Sequence, residues 1–230
     1  MSDFEPAYDE LQSSPDNIEV IRDQIAALLF LDLQKQYELA VDAEDPNAQD
    51  YKVAVYVEND DPLQYVDDEV PESNPFPCVN VSLDSSNASN ATAGVNGQKF
   101  AAQVLVDCYA TGNTSSDADF GTKASLKAWK VARLVRRILR AEPNTYLRMR
   151  GVVGGISWKF QAGSPSQSQS AINVKMVRIT LTVEYAEDVA ITGGVLDWNT
   201  FGLITNENGQ VMSVKKKLLT LEVKGDKRWV

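Results

Sequence analysis

Histidine is absent from the 230 residues of this chain. Its absence removes histidine acid-base catalysis, the Ser-His and Cys-His nucleophile pairs, and imidazole metal ligands. The glycine-rich run at 151–155 precedes a predicted strand instead of opening a helix, so it is no phosphate-binding fingerprint. The acidic residues fall in predicted loops and on a helix, without a Ca²⁺-loop spacing. The sequence therefore predicts a protein that is not an enzyme, with no catalytic residue, no metal and no cofactor.

Long apolar runs and cysteines are also scarce. No stretch approaches the roughly 20 apolar residues that a membrane helix needs, which predicts no integral membrane segment. The first ten residues are acidic and polar, unlike a secretory signal, so we expect the chain in a cytoplasm. Cys78 and Cys108, the two cysteines, both lie in apparent strands. There the usual role is a small, buried and reduced apolar residue.

Basic side chains are rare in the first third of the chain. Residues 1–72 carry 20 acidic and 3 basic side chains, whereas the remainder carries 12 acidic and 19 basic ones. Such a split is common where one copy of a protein meets another, or where two partners differ in sign. The alternative is two solvated faces that pair within the chain.

The N-terminal half alternates between helix and strand patterns. Ser14-Pro15 predicts a helix start, and apolar residues at spacings of three and four carry the helix to about Ala40. Alternating valines predict strands at 51–57 and 79–83, separated by an acidic, proline-bearing excursion over 58–77. Small polar residues over 85–97 predict a loop, because they bury too little apolar area to offset ordering.

The run from 98 to 186 is the most regular part of the sequence. It predicts a strand over 100–110, a helix over 123–141 capped by Thr122, and strands over 155–162 and 172–185. The last strand changes phase near Met176-Val177, which requires a bulge or a change of covering partner. The polar loop 163–171, with Gln167 and Gln169, is expected to be ordered by a neighbour.

The predicted helix over 123–141 carries a basic stripe opposite its apolar face. The stripe consists of Lys123, Lys127, Lys130, Arg133, Arg137 and Arg140. Like charges at these spacings repel one another by a few tenths of a kcal/mol per pair, so a group outside the helix is expected to compensate them. An acidic protein surface and nucleic acid are the two candidates, and the acidic N-terminal third favours the first. A solvated helix face is the remaining interpretation.

The predicted fold class is α+β: a mixed or antiparallel sheet packed by two main helices, with a C-terminal β-hairpin. Residues 203–205 and 211–214 flank an Asn208-Gly209 turn, and a lone hairpin must dock on the body or on another subunit. The expected organisation is a flexible arm over 1–14, a domain over 15–188 with the 58–77 acidic insertion, and a C-terminal extension over 189–230.

This order of elements resembles the tail terminator proteins of long-tailed bacteriophages. The resemblance covers roughly residues 15–188 and rests on 100–109, Ala124-Ser125-Leu126-Lys127-Ala128-Trp129, Gly155-Ile156-Ser157-Trp158-Lys159-Phe160 and the strand 177–185. The acidic loop and the C-terminal extension go beyond the compact members of that family.

The resemblance implies a structural virion protein, assembled in the host cytoplasm, that closes into a hexameric ring on the tail tube. Its implied partners are further copies, the tail tube protein, the sheath where present, and head-connector or neck proteins, with DNA only passing through the channel. The expected interface residues are the basic stripe together with Asp60, Asp61, Asp67, Asp68, Glu69, Gln167 and Gln169. Alternatives are a head-closure ring protein, a tail tube subunit, or a nucleic-acid-binding protein that uses the stripe.

Overall fold

The computed structural model describes residues 16–59, 77–89, 98–111, 120–149, 152–163, 174–187, 203–207 and 209–214. Two α-helices occur in these ranges, α1 (Asn17–Asp42) and α2 (Phe120–Leu139). The strands are β1 (Ala54–Val57), β2 (Cys78–Ser89), β3 (Gln98–Thr111), β4 (Val153–Gly163), β5 (Val174–Glu187), β6 (Leu203–Thr205) and β7 (Val211–Val214). Short 3-10 helices at Ala48–Tyr51 and Glu142–Arg148 follow α1 and α2.

Five strands form one mixed sheet in the order β1-β2-β3-β5-β4. The β1-β2 pair is parallel, and the other three neighbouring pairs are antiparallel. β6 and β7 form a separate two-stranded sheet at the predicted positions. These elements confirm the predicted α+β class.

Both helices begin at residues that differ from the prediction. The N-cap of α1 is Asp16 instead of Ser14, and its backbone N–H donates to the Glu19 carboxylate at 2.9 Å, as in a capping box. α2 begins at Phe120, so Thr122 lies inside the helix and does not cap it. Gly121 and Thr122 each lower helix propensity by about 1 kcal/mol or less, which packing of the following turns offsets.

The core lies between the sheet and both helices, which cover the same face. α2 packs across β3 and β5, while α1 packs across β1 and β2. Period-two residues of the strands face the helices, and they are buried: Val79, Val81, Ala102, Val104, Val106, Val177, Ile179, Leu181 and Val183. The alternating patterns of the sequence therefore predicted correctly which strand residues enter the core.

A second, smaller apolar cluster lies on the opposite face of the sheet. It contains Tyr56, Cys78, Tyr109 and Val174, with Met176 packed against it. This cluster explains the phase change near Met176-Val177, because the beginning of β5 is covered on both faces. β5 keeps a continuous register with both neighbours through this point, so the bulge is wrong and the change of covering partner is the alternative that holds.

The β1 edge of the sheet is covered by the C-terminal hairpin. On the β1 side, the Val57 N–H donates to the Gly209 carbonyl at 2.9 Å, and Val211 enters the main core. The hairpin thus docks on its own chain, where Gly209 adopts a φ of 72°. The expected loop over 85–97 is wrong for 85–89, because β2 continues to Ser89 and pairs with β3 there. Residues 90–97 lie outside the described residues.

The chain turns sharply between α2 and β4. Tyr146, Leu147 and Arg148 have positive φ values of 54°, 54° and 58°, a conformation that costs roughly 1–2 kcal/mol per residue. Buried polar contacts hold this turn in place. The Gln24 amide donates to the Leu147 carbonyl at 2.9 Å, and the buried Asn144 amide donates to Asp32 at 3.0 Å.

Candidate subunit interface

α2 places the six predicted basic residues on two different sides of the helix. Lys127 and Lys130 are about three-quarters buried and lie toward the 3-10 helix that follows α1. Arg133, Arg137 and Arg140 are exposed on the outward side. Lys123, near the beginning of the helix, is also exposed but falls on the same side as Lys127 and Lys130. The basic stripe is therefore divided into a lysine part that packs on the chain itself and an arginine part that faces outward.

Asp50 compensates the lysine part of the stripe. Its two carboxylate oxygens lie 3.4 Å from the Lys127 and Lys130 ammonium nitrogens, one oxygen to each. The Lys130 ammonium also lies 4.1 Å from the centre of the Tyr51 ring, within the range of a cation-π contact. For these two lysines the compensating group does lie outside the helix and in the acidic N-terminal third, and the pairing is within the same chain.

The arginine part has no such partner. Within the described ranges, Arg133, Arg137 and Arg140 make no side-chain hydrogen bond or ion pair. Each guanidinium group carries five N–H donors in a planar fork that suits carboxylates.

Two large apolar side chains share the outward side of α2 with these arginines. Leu126 is 66% exposed and Trp129 is 43% exposed. At 3.6 residues per turn, Leu126, Trp129, Arg133, Arg137 and Arg140 fall on one side of the helix, and we call this set the outward face. The sequence analysis missed both apolar residues, although each falls outside the apolar stripe and could have been identified from that position.

The other margin of α2 meets the last strand of the sheet. The Arg136 guanidinium lies 5.5 Å from the centre of the Phe160 ring on β4. Ile156, Trp158 and Phe160 point to the helix side of the sheet but are only half-buried, because α2 lies mainly over β3 and β5. An apolar row on β4 is thus partly open beside the helix.

A buried ion pair holds the opposite face of the sheet together. Asp107 is 3% exposed and accepts two hydrogen bonds from Arg178, from Nε at 2.7 Å and from Nη2 at 2.8 Å. The Asp107 carboxylate also receives the Tyr109 hydroxyl at 3.4 Å. Burial raises the pKa of Tyr109, so this phenol remains a neutral donor. The fork joins β3 to β5, and no sequence signal connects residues 71 positions apart.

The acidic excursion is fixed at both of its ends. After β1, the Asn80 side-chain amide bonds the backbone of Asn59 twice, at 3.1 and 3.0 Å. Before β2, the Pro77 carbonyl accepts from the Ala54 N–H at 3.1 Å. Because β1 and β2 are parallel, Asn59 and Pro77 lie at opposite ends of the two strands.

Seven of the predicted interface residues lie outside the described residues: Asp60, Asp61, Asp67, Asp68, Glu69, Gln167 and Gln169. Their proposed contact with the basic stripe stays a prediction. In the part of the chain that the structure describes, no group of three or more Cys, Asp or Glu side chains is placed to hold a metal ion. None of the described helices is long and apolar enough to span a membrane.

Both cysteine thiols are buried, as predicted, and they lie on opposite faces of the sheet. Cys108 enters the main core and Cys78 the second cluster, and both are free. Burial raises the pKa of each thiol, which keeps it protonated.

No protein-family model matches the sequence, and no curated protein matches it significantly.

Proposed function

We propose that the chain is a tail terminator of a long-tailed bacteriophage, a structural subunit that closes into a ring on the tail tube and joins it to the neck. The observation that supports this proposal best is the outward face of α2. It combines three arginines that have no partner in the described ranges with exposed Leu126 and Trp129. Trp and Arg are enriched where proteins bind one another, and charged side chains around them set the orientation of the partner.

The distribution of charge along the chain indicates an acidic partner for the outward face of α2. Residues 1–72 carry 20 of the 32 acidic side chains of the chain. Among those that the structure describes, Asp50 pairs with Lys127 and Lys130. An acidic surface of a neighbouring copy therefore complements the arginines, and steering by opposite charge would favour contact between copies.

A charge-reversal experiment tests the proposal. In Arg133→Glu/Arg137→Glu, we expect ring formation and docking on tail tubes to fail, because both exposed cations become anions beside an acidic neighbour. The matched control is Lys35→Glu/Lys52→Glu, which changes the net charge equally on exposed side chains that are not part of α2. Oligomer mass by light scattering and tail assembly in the infected cell are the readouts. Unchanged mass and unchanged assembly in the arginine variant would contradict the proposal.

Measurements of DNA binding at different salt concentrations distinguish the nucleic-acid alternative from the proposed function. A protein that neutralises several phosphates loses affinity steeply as salt rises, and its affinity can be measured directly at low salt. Under our proposal the purified protein does not shift duplex DNA at 50 mM salt. A shift that disappears in Arg133→Glu/Arg137→Glu would favour the alternative.

A further inference from the structure

The outer edge of β4 is open. β4 is the last strand of the five-stranded sheet, and within the described ranges no strand pairs with its outer side. It is eleven residues long, contains no proline and carries a single charged residue, Lys159. An edge of this length presents a row of backbone donors and acceptors, and natural proteins usually protect such edges. The opposite edge is protected, because the hairpin lies against β1.

The apolar side chains of β4 beside this edge are only partly covered. Ile156, Trp158 and Phe160 lie on the helix side of the sheet. They are only half-buried because α2 packs mainly over β3 and β5. A strand added to the edge would place its own apolar residues next to this row and would complete the cover. The site is therefore suited to an extended segment with alternating apolar residues.

The sequence after β7 contains such a segment. Residues 218–224 read Leu-Leu-Thr-Leu-Glu-Val-Lys, in which Leu219, Leu221 and Val223 alternate with polar residues. This period of two is typical of a half-buried strand. Glu222, on the polar side, also complements Lys159, the one charge of β4.

The segment cannot reach the β4 edge of its own chain. β7 ends at Val214 beside β1, on the far side of the sheet from β4. From β1 to a strand added outside β4 is five strand spacings, or about 24 Å. The five residues from Val214 to Leu219 span at most about 18 Å when fully extended. A strand formed by this segment at the β4 edge would therefore have to come from another copy.

We propose that residues 218–224 of one copy add as a strand to the free edge of β4 in the next copy. Donor and acceptor lie at opposite edges of the sheet, so the contact is head-to-tail and repeats around a ring or along a filament. The inference rests on the proposed function in one respect: the proposed ring is the reason to expect that the head-to-tail contacts close on themselves. Under this proposal, neighbouring copies are joined by strand addition at β4, and the outward face of α2 makes a second contact between them.

Disulfide trapping between two variants, each with one added cysteine, tests the strand addition. Glu222→Cys is mixed in turn with Ser157→Cys, Lys159→Cys and Gln161→Cys, three positions on one face of β4. A register that keeps Leu219, Leu221 and Val223 on the helix side and centres the segment on β4 brings position 222 directly opposite one of these three positions. The native thiols are buried and stay in place. We expect a disulfide-linked dimer in at least one mixture, on a non-reducing gel, and none when Glu222→Cys is mixed with Lys35→Cys on α1.

A second pair of variants tests the face of the donated strand. Adding Leu221→Arg should reduce the cross-linked fraction about tenfold or more, because a leucine side chain would lose its burial. Adding Thr220→Arg, on the polar side of the same segment, should leave it unchanged. No cross-link at any of the three positions, or an equal effect of both arginines, would overturn the inference.

The outcomes separate this inference from the proposed function. Closed rings without the cross-link would remove strand addition and leave the terminator proposal standing. A cross-link in open-ended filaments would confirm strand addition and contradict the terminator. Monomers without a cross-link would overturn both.

Discussion

Replacement of Arg178 by methionine should destabilise the protein strongly, although the position is on the sheet face away from the helices. Asp107 is 3% exposed, and Arg178 supplies both of its short hydrogen bonds. Breaking one partner of a buried pair leaves an uncompensated charge and typically costs about 3–5 kcal/mol. The Arg178 side chain is 38% exposed, so water can reach the carboxylate in its place. We therefore expect a loss of about 2–3 kcal/mol.

The double variant distinguishes an ion pair from simple packing. In Asp107→Leu/Arg178→Met both charges are gone, and we expect a free energy of unfolding within about 1 kcal/mol of the wild type. Urea unfolding followed by circular dichroism measures each variant, and about 2.5 kcal/mol corresponds to a midpoint shift of roughly 1 M. Lys159→Met, exposed on the neighbouring strand and the same face, is the control and should change stability by less than about 0.5 kcal/mol. Additive losses in the double-mutant cycle would refute this explanation.

Further predictions concern the turn after α2, the outward face, a helix carboxylate and the thiols. Asn144→Ala should lower the free energy of unfolding by about 2–4 kcal/mol, measured by urea, because it leaves buried partners unpaired; an effect below 1 kcal/mol would contradict this. Leu126→Gln should leave that free energy within about 0.5 kcal/mol, because Leu126 is 66% exposed, but should reduce oligomer mass by light scattering, because the proposed contact between copies would bury this leucine; an unchanged mass would refute it. Burial raises the pKa of Asp23 in the folded protein above its usual 3.8. The folded state therefore holds this proton more tightly than the unfolded state, and the contribution of Asp23 to stability should fall as pH rises from 3.8 through the folded-state pKa. Unfolding titrations at several pH values should show the wild type losing stability relative to Asp23→Asn over this range. Cys78 and Cys108 should react with a thiol reagent only on unfolding; fast reaction of the native protein would contradict their burial.

Local patterns in the sequence were sufficient for most of the sheet and its core. β3 and the end of β5 alternate without interruption, and the hairpin about Asn208-Gly209 has the turn chemistry that its strands require. The same approach misjudged residues 85–89, because their polar side chains show no apolar pattern. Pairing with β3 supplies their backbone hydrogen bonds, and no local composition indicates that a long neighbour is available.

The site was predicted less well than the fold, because its chemistry depends on contacts between distant segments. The stripe on α2 could be identified from charge spacing alone. Its division could not, because the contact of Asp50 with Lys127 and Lys130 joins residues about 80 positions apart. Asp107 and Arg178 are similarly distant, and each is an ordinary strand residue in its own local sequence. These features depend on contacts between segments that are distant in the sequence, and such contacts leave no periodic pattern from which they could be predicted.

The central claim is that copies of this chain close into a ring. Electron microscopy of the purified protein, with its mass measured in solution at several concentrations, tests the claim most directly. We predict closed rings of about six copies with a central channel, stable when diluted into low salt. Open-ended tubes, or particles with the mass of one copy at every concentration, would contradict it.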